Sequence, residues 1–318
     1  MKAFRFLWIT DPWKTLDHAK DTTLRLAQES LKLGHRSFWA DVKTIRLEGG
    51  KVFLDVQEVL SLPSPINPKT LRLSPARKKS PGDFDSIHYR TDPPVDLAYL
   101  HPLQILALEN PPVVNPLEVL FRANEKFEAI RTPGLMPPTL VSGEWESLKA
   151  FGLKHRRTVL KPIHLAQSKG IELLDWKGDQ KKNKRLISKL TDHFQRPVLL
   201  QRYLAGIEKG EQRIWFLDGK ILAVARKLPP KKGDFKIDMD QGSRVVSSTL
   251  TEPEHAVAIK IGHLLAKNRI RLAAVDLIEA KVTDFNFTSP GLISQMEAAT
   301  GQNLAKIIIG RLASRTSS

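Results

Sequence analysis

Asp276, Asp284 and Asn286 carry the first chemistry legible in this chain. They fall in the stretch AAVDLIEAKVTDFNFTSPG, residues 273–291, which reads as two short strands followed by a loop. Ala274 to Ile278 is apolar apart from Asp276 in its middle, and Val282 to Phe287 alternates polar with apolar residues. Side chains two apart on a strand point the same way, so Asp284 and Asn286 share a face and can reach one cation. Asp276, on the paired strand, can supply another carboxylate. Oxygen-only donors with room for water and phosphate suit Mg²⁺, or Mn²⁺ in its place. They do not suit Zn²⁺, for which the chain has no cysteine and no paired histidine spacing. An ordinary half-exposed hairpin shows the same alternation.

Basic residues at strand ends form a second set. Arg90 closes a strand and precedes a proline-stiffened turn, Thr91-Asp92-Pro93-Pro94-Val95-Asp96. Such an arginine is placed to clamp a carboxylate, or to make a loop salt bridge. Thr158 to Pro162 is a compact strand with Lys161 near its end, and Leu199 to Leu204 is another with a polar hinge.

The order of these segments resembles a known family. The pattern D-x7-[ED]-x-N-x-[TS]-S-P is similar to the metal-binding end of the ATP-grasp fold, and its N-x-T-S-P form is most similar to bacterial glutathione synthetase. R-x-D-P-P-x-D at Arg90, T-D-P at Thr10 to Pro12 and V-N-P-x7-N-E-K at Val114 to Lys126 resemble further segments of that family. The resemblance runs from Thr10 to about Glu297. It implies that Asp276, Asp284 and Asn286 hold Mg²⁺, that Lys126 and Lys161 reach the phosphates of ATP, and that Arg90 and Ser289 meet substrate carboxylates. It further implies that Gln201 to Leu204, Tyr203 among them, pair with adenine through the backbone and that Glu211 meets the ribose. Arg213, and Arg226 in AVARK, would orient anionic substrate and acylphosphate. The implied reaction is ligation: a carboxylate attacks the γ-phosphate of ATP, ADP leaves, and an amine then displaces phosphate from the acylphosphate.

Three departures stand against the pattern. The glycine-rich phosphate loop is replaced by residues 163–170, Ile-His-Leu-Ala-Gln-Ser-Lys-Gly, of which only Gly170 keeps the conformational freedom that lets backbone approach phosphate. The R-x-N-x-x-x-G-G segment that closes over substrates reads Lys236 to Ser243. The usual bridging glutamate is the shorter Asp284, and beyond Pro290 an arginine and a glutamate become Ser294 and Gln295. Two other functions therefore stay open: an amino-acid or peptide ligase with another substrate pair, and a relative that binds nucleotide or polyanion without turnover.

The elements that must position these groups are of mixed α/β and α+β type. A strand at Phe4 to Ile9, a helix over Lys20 to Leu33 stopped by Gly34, a strand at Ser37 to Ala40 and a hairpin-like pair around Gly49 and Gly50 are expected. Residues 61–82, rich in proline, read as an exposed loop before a strand at Ser86 to Arg90. Asn124 to Lys126 should open a helix, Lys181 to Leu190 form one and Asn303 to Leu312 another, with the last six residues frayed. The expected division is an open parallel-sheet domain at 1–120, a lid at 121–200 and a metal-bearing antiparallel unit at 201–318.

Composition sets the outer bounds. The 318 residues can bury a sizeable core, and no run approaches membrane-spanning length. MKAFRFLWITDP reads as a first buried strand and not as a secretory signal. The absence of cysteine excludes disulfides and thiolate chemistry and fits a reducing cytoplasm. A net charge of +16 favours anionic partners. Its clusters at Arg77 to Lys79, Lys181 to Arg185 and Lys231 to Lys232 lack an RNA-binding pattern, so a solvated surface is preferred to nucleic acid. Small-molecule substrates and a homo-oligomer are the partners that the resemblance implies.

Overall fold

The computed structural model describes residues 3–314 apart from 123, 127, 167 and 232. Gln167 of the phosphate loop, Lys232 of the third basic cluster and residues 315–318 of the expected frayed end lie outside the described residues.

The first sheet is built from β1 (Arg5–Thr10), β2 (Arg36–Asp41), β3 (Arg46–Glu48), β4 (Lys51–Ser61), β5 (Arg72–Leu73), β6 (Arg77–Lys79), β7 (Ser86–Tyr89) and β8 (Val113–Val114). Its centre, β2-β1-β7-β8, is parallel, and β4 extends it antiparallel at one side. The stretch expected as loop, 61–82, contains β5 and β6, which pair with β4. Its basic cluster is therefore an exposed strand, and lysine and arginine on such a strand deter pairing with another chain. Helix α1 (Thr22–Lys32) begins where Asp21 accepts the Leu24 amide and stops before Gly34, whose φ of +79° suits glycine. Helices α2 (Leu97–Ala107) and α3 (Leu117–Arg122) follow.

The second sheet has the order β11-β10-β12-β9, all antiparallel, from β9 (Thr139–Ser142), β10 (Arg157–Pro162), β11 (Glu172–Asp175) and β12 (Val198–Arg202). Helices α4 (Trp145–His155) and α5 (Gln180–Leu190) cover it. Leu148, Leu160, Leu174, Trp176, Ile187, Val198 and Leu200 give this unit a core of its own.

The third sheet, β15-β14-β13-β16-β17, is antiparallel and comprises β13 (Glu211–Leu217), β14 (Lys220–Leu228), β15 (Arg244–Ser247), β16 (Leu272–Ile278) and β17 (Lys281–Asn286). Helix α6 (Glu252–Lys267), started by a Thr251–Glu254 capping box, packs on one face. Helices α7 (Ile293–Thr300) and α8 (Leu304–Ala313) pack on the other, and α8 also meets α1. The first and third sheets thus share core clusters, whereas the second is cored separately. Among the described residues no helix is long and apolar enough to cross a membrane.

Candidate active site

Register across the third sheet brings charges from four strands into one row. Glu211 opposes Lys227, Arg213 opposes Asp276, and Asp276 opposes Asp284. Arg213 donates from Nε and Nη2 to the two carboxylate oxygens of Asp276 at 2.8 and 2.7 Å. Lys227 Nζ reaches Asp276 Oδ2 at 2.8 Å and Glu211 Oε1 at 2.5 Å. Burial disfavours the Asp276 charge, but Arg213 and Lys227 outweigh it and hold the carboxyl well below its usual range. Burial likewise opposes the Arg213 charge, and Asp276 reverses the balance and raises it. At Glu211 burial wins over Lys227, and the carboxyl is raised.

The register slips between Asp276 and Leu277, leaving Thr283 as the extra residue of a bulge. Its carbonyl accepts from Lys161 Nζ at 2.7 Å, and Gln201 Oε1 accepts from the same ammonium at 3.1 Å. Lys161 therefore crosses from the second sheet to the third. Burial lowers its pKa, with Asp284 pulling the other way. Lys126 lies in a turn, and not in the expected helix, because the Asn124 side chain accepts its backbone N–H at 2.9 Å. Its Nζ donates to Asp284 Oδ1, also at 2.9 Å. Burial works against the charge of both, yet the pairing raises the lysine and lowers the acid.

Alternation on β17 sends Phe285 into the core and keeps Asp284 and Asn286 on the cleft, where Asn286 Nδ2 donates to Ala274 O at 3.3 Å. Beyond the strand, Glu125 accepts from the Thr288 amide at 2.6 Å and from Thr288 Oγ1 at 2.9 Å. This fixes the start of the loop that carries Ser289, itself half-buried on the cleft wall. Arg90 is buried at the far wall, donating to Thr23 Oγ1 and Pro290 O at 2.8 Å each. Both acceptors are neutral, and burial lowers the guanidinium pKa.

Lys126 aside, these groups border one cleft of about 820 Å³, open to all three sheets. It is large enough for a nucleotide with a second substrate. Among the described residues no three histidine, cysteine or acidic side chains converge on a metal position. Asp284 and Asn286, two oxygen donors on one face, still fit a Mg²⁺ that takes its remaining ligands from phosphate and water.

Four expectations need correction. Arg226 does not border the cleft, because β14 alternation puts it with Val224 on the α6 face, opposite Gln212. Its Nε is buried without a hydrogen-bond partner among the described residues. Lys227, in step with Ala223 and Ala225, takes the cleft position; a period of two through AVARK puts it and Arg226 on opposite faces without saying which face meets the cleft. Asp276 is 1% exposed with both oxygens engaged, so it is the counter-ion of Arg213 and Lys227 before it is a metal donor. Lys126, paired with Asp284, does not border the cleft, whereas Glu211, held by Lys227, does. Gln201 is fixed by its ladder partners Val159 and Thr139, and its side chain steers Lys161, so the hinge begins at Tyr203. Glu125 left no signal beyond its place next to Lys126.

Comparison with known proteins gives a consistent result. Residues 4–120 match the prokaryotic glutathione synthetase N-terminal domain, and residues 125–301 match the prokaryotic glutathione synthetase ATP-grasp domain. A glutathione synthetase from Gloeobacter violaceus is 30% identical over 320 residues, covering 98% of this chain and 97% of its own. One from Synechocystis sp. is 28% identical over 315 residues, covering 96% and 98%. Among solved structures, D-cycloserine synthetase DcsG superposes with a TM-score of 0.67 at 15% identity, covering 96% of this chain and 99% of that one. The ATP-grasp ligase PsnB, complexed with minimal precursor phosphomimetic variant, Mg and ADP, gives 0.61 at 14%, covering 97% of each. At such identities the superpositions speak for the fold, whereas the sequence matches span both halves of the molecule. The chain belongs to the prokaryotic glutathione synthetase family and is an ATP-dependent ligase of the ATP-grasp fold, most like glutathione synthetase.

Proposed function

We propose that this ligase joins γ-glutamylcysteine to glycine with ATP and Mg²⁺. The observation that carries the reading is the convergence of Lys161 and Lys126, from outside the third sheet, on the face of β17 that presents Asp284 and Asn286. A cationic wall facing two oxygen donors suits a metal-bound phosphate chain. Bound Mg²⁺, held by Asp284 and Asn286, would neutralise charge on the phosphates and on the developing acylphosphate. Lys161 and Lys126 then bind phosphate oxygens, and Arg213 and Lys227, fixed by Asp276, stabilise the oxygens of the group in transfer. Arg90, a buried cation on neutral acceptors, clamps a substrate carboxylate, with Ser289 as a second donor. Tyr203 and Leu204 border the base.

In this reading residues 1–120 form the substrate side, 121–200 the lid and 201–318 the metal-bearing unit, within a cytoplasmic homo-oligomer. Ser294 and Gln295, where the family has arginine and glutamate, favour a second reading with another carboxylate or amine. The test is ADP release from Mg-ATP with γ-glutamylcysteine and glycine, with Asp284→Ala as the blank. Release that needs both substrates is expected. Release with another amino-acid or peptide pair alone would replace the substrates and keep the class, and nucleotide binding without any release would overturn turnover itself.

A further inference from the structure

The cleft has an apolar end as well as a charged one. Tyr203 and Leu204 at the exit of β12, Ile207 in the following turn and Ile278 at the end of β16 form a small cluster. Phe235 and Ile237, from the segment after β14, pack against it, and all six residues border the cleft. That segment borders the cleft and is held on both sides. Ser168 Oγ donates to Ile237 O at 2.9 Å, Lys236 Nζ pairs with Glu172 at 3.4 Å, and Asp240 approaches Lys20 at 4.0 Å. A hydrogen bond between Ser243 Oγ and the Asp238 amide, 2.9 Å, shapes its return.

The two stretches that depart most from the family pattern are therefore in contact with each other. Where backbone donors of a glycine-rich loop are expected, this chain has Ser168, and its hydroxyl is spent on the strap and not directed to phosphate. Beside the charged Lys236, Asp238 and Asp240, the strap offers the cleft Phe235 and Ile237, packed on the apolar cluster, which have nothing to give a charged dipeptide but match the faces of a flat base. A nucleotide is long and has opposite characters at its ends. With its phosphates among Lys161, Lys126 and Asp284, the other end must find apolar surface, and the cluster under Phe235 supplies it.

We propose that Phe235 and Ile237 roof the nucleotide base, so that the strap closes in response to nucleotide and not to the peptide substrate. This rests on reading the charged end as the phosphate site. The test is calorimetric titration with Mg-ADP of the wild type and the variants Phe235→Ala, Phe235→Leu and Ser168→Ala, joined to amide hydrogen exchange over residues 233–243. Loss of the aromatic ring should weaken Mg-ADP roughly tenfold, in keeping with aromatic–base contacts, while Phe235→Leu should stay within about threefold. Ser168→Ala, which removes only the latch, should fall between them. Exchange in the strap should slow with Mg-ADP alone. Unchanged Mg-ADP affinity in Phe235→Ala, or a strap that slows only with γ-glutamylcysteine, would overturn the proposal and leave the phosphate site standing. A wild type that does not bind Mg-ADP would overturn both.

Discussion

The two ends of the cleft are built in opposite ways. At the charged end the side chains, Lys126 in its turn excepted, leave strands whose neighbours fix them, and Glu211, Lys227, Arg213, Asp276 and Asp284 stand in register. At the apolar end, Tyr203, Leu204, Ile207, Phe235 and Ile237 come from turns and a strap fastened by a hydroxyl and exposed ion pairs. Charges must be held in place before the reaction, because a preorganised dipole does not have to be turned again as charge moves. A base tolerates looser walls, since apolar contact has no direction. With the nucleotide placed as proposed, the difference teaches that the ligand's polar end would be met by sheet register and its flat end by turns and a strap.

If that contrast is sound, damage to the row should be severe and damage to the strap mild. The largest effect is expected for Asp276→Asn, which leaves Arg213 and Lys227 buried without their shared carboxylate. A loss of about 3–5 kcal/mol in urea unfolding, along with turnover, is the expected outcome, and unchanged stability would show that the row is not cooperative. Asp284→Ala should lower kcat at least about a hundredfold, near 2.7 kcal/mol, with folding intact, as judged by ADP release and circular dichroism. A finer discrimination lies within one strand: Lys227→Met should cost about thirtyfold or more in kcat/KM, whereas Arg226→Met should stay within about threefold. The reverse order would restore the assignment made from AVARK.

A separate test, read against pH, falls on a buried polar group of the first sheet. His88, 1% exposed and stacked on Trp8 at 4.5 Å, has its pKa lowered to about 3, mainly by burial, with Arg90 and Arg271 adding repulsion. Folded His88 stays neutral where the unfolded residue takes a proton, so the unfolded state binds more protons below the usual histidine value. The stability from this group is thus complete above about pH 6.5 and falls as pH drops toward 3, at up to about 1.4 kcal/mol per pH unit. Urea midpoints measured from pH 7 to pH 4 should show the slope, and His88→Gln should flatten it.

Much of this was legible in the residues. The alternation of Asp284 and Asn286, the apolar run around Asp276, the lysine at the end of TVLKP and the stop at Gly34 are local patterns, and the strands and helix that carry them formed within a few residues of their expected places. Apart from Lys126, kept out of the expected helix by the Asn124 side chain two residues away, the assignments that failed turned on a partner distant in the chain. Gln201 looked like a hinge residue until Val159 and Thr139 took up its backbone and Lys161 its amide. Residues 72–79 looked like loop because proline surrounds them, and only the edge of β4 made them strand.

The sequence alone determined the residue types, the periods that set faces, and the order of segments that marks the family. Dihedral preference and side-chain alternation act over a few residues, so they can be read from a few residues. Tertiary structure alone decided which charge meets which. Whether Arg226 or Lys227 faces the cleft, whether Asp276 answers a metal or two cations, and where Phe235 comes to rest depend on the register between strands and on loops folded back from elsewhere. Shifting a strand by one residue moves every side chain to the opposite face. That choice is made by the core as a whole, between residues as far apart as Arg213 and Asp276.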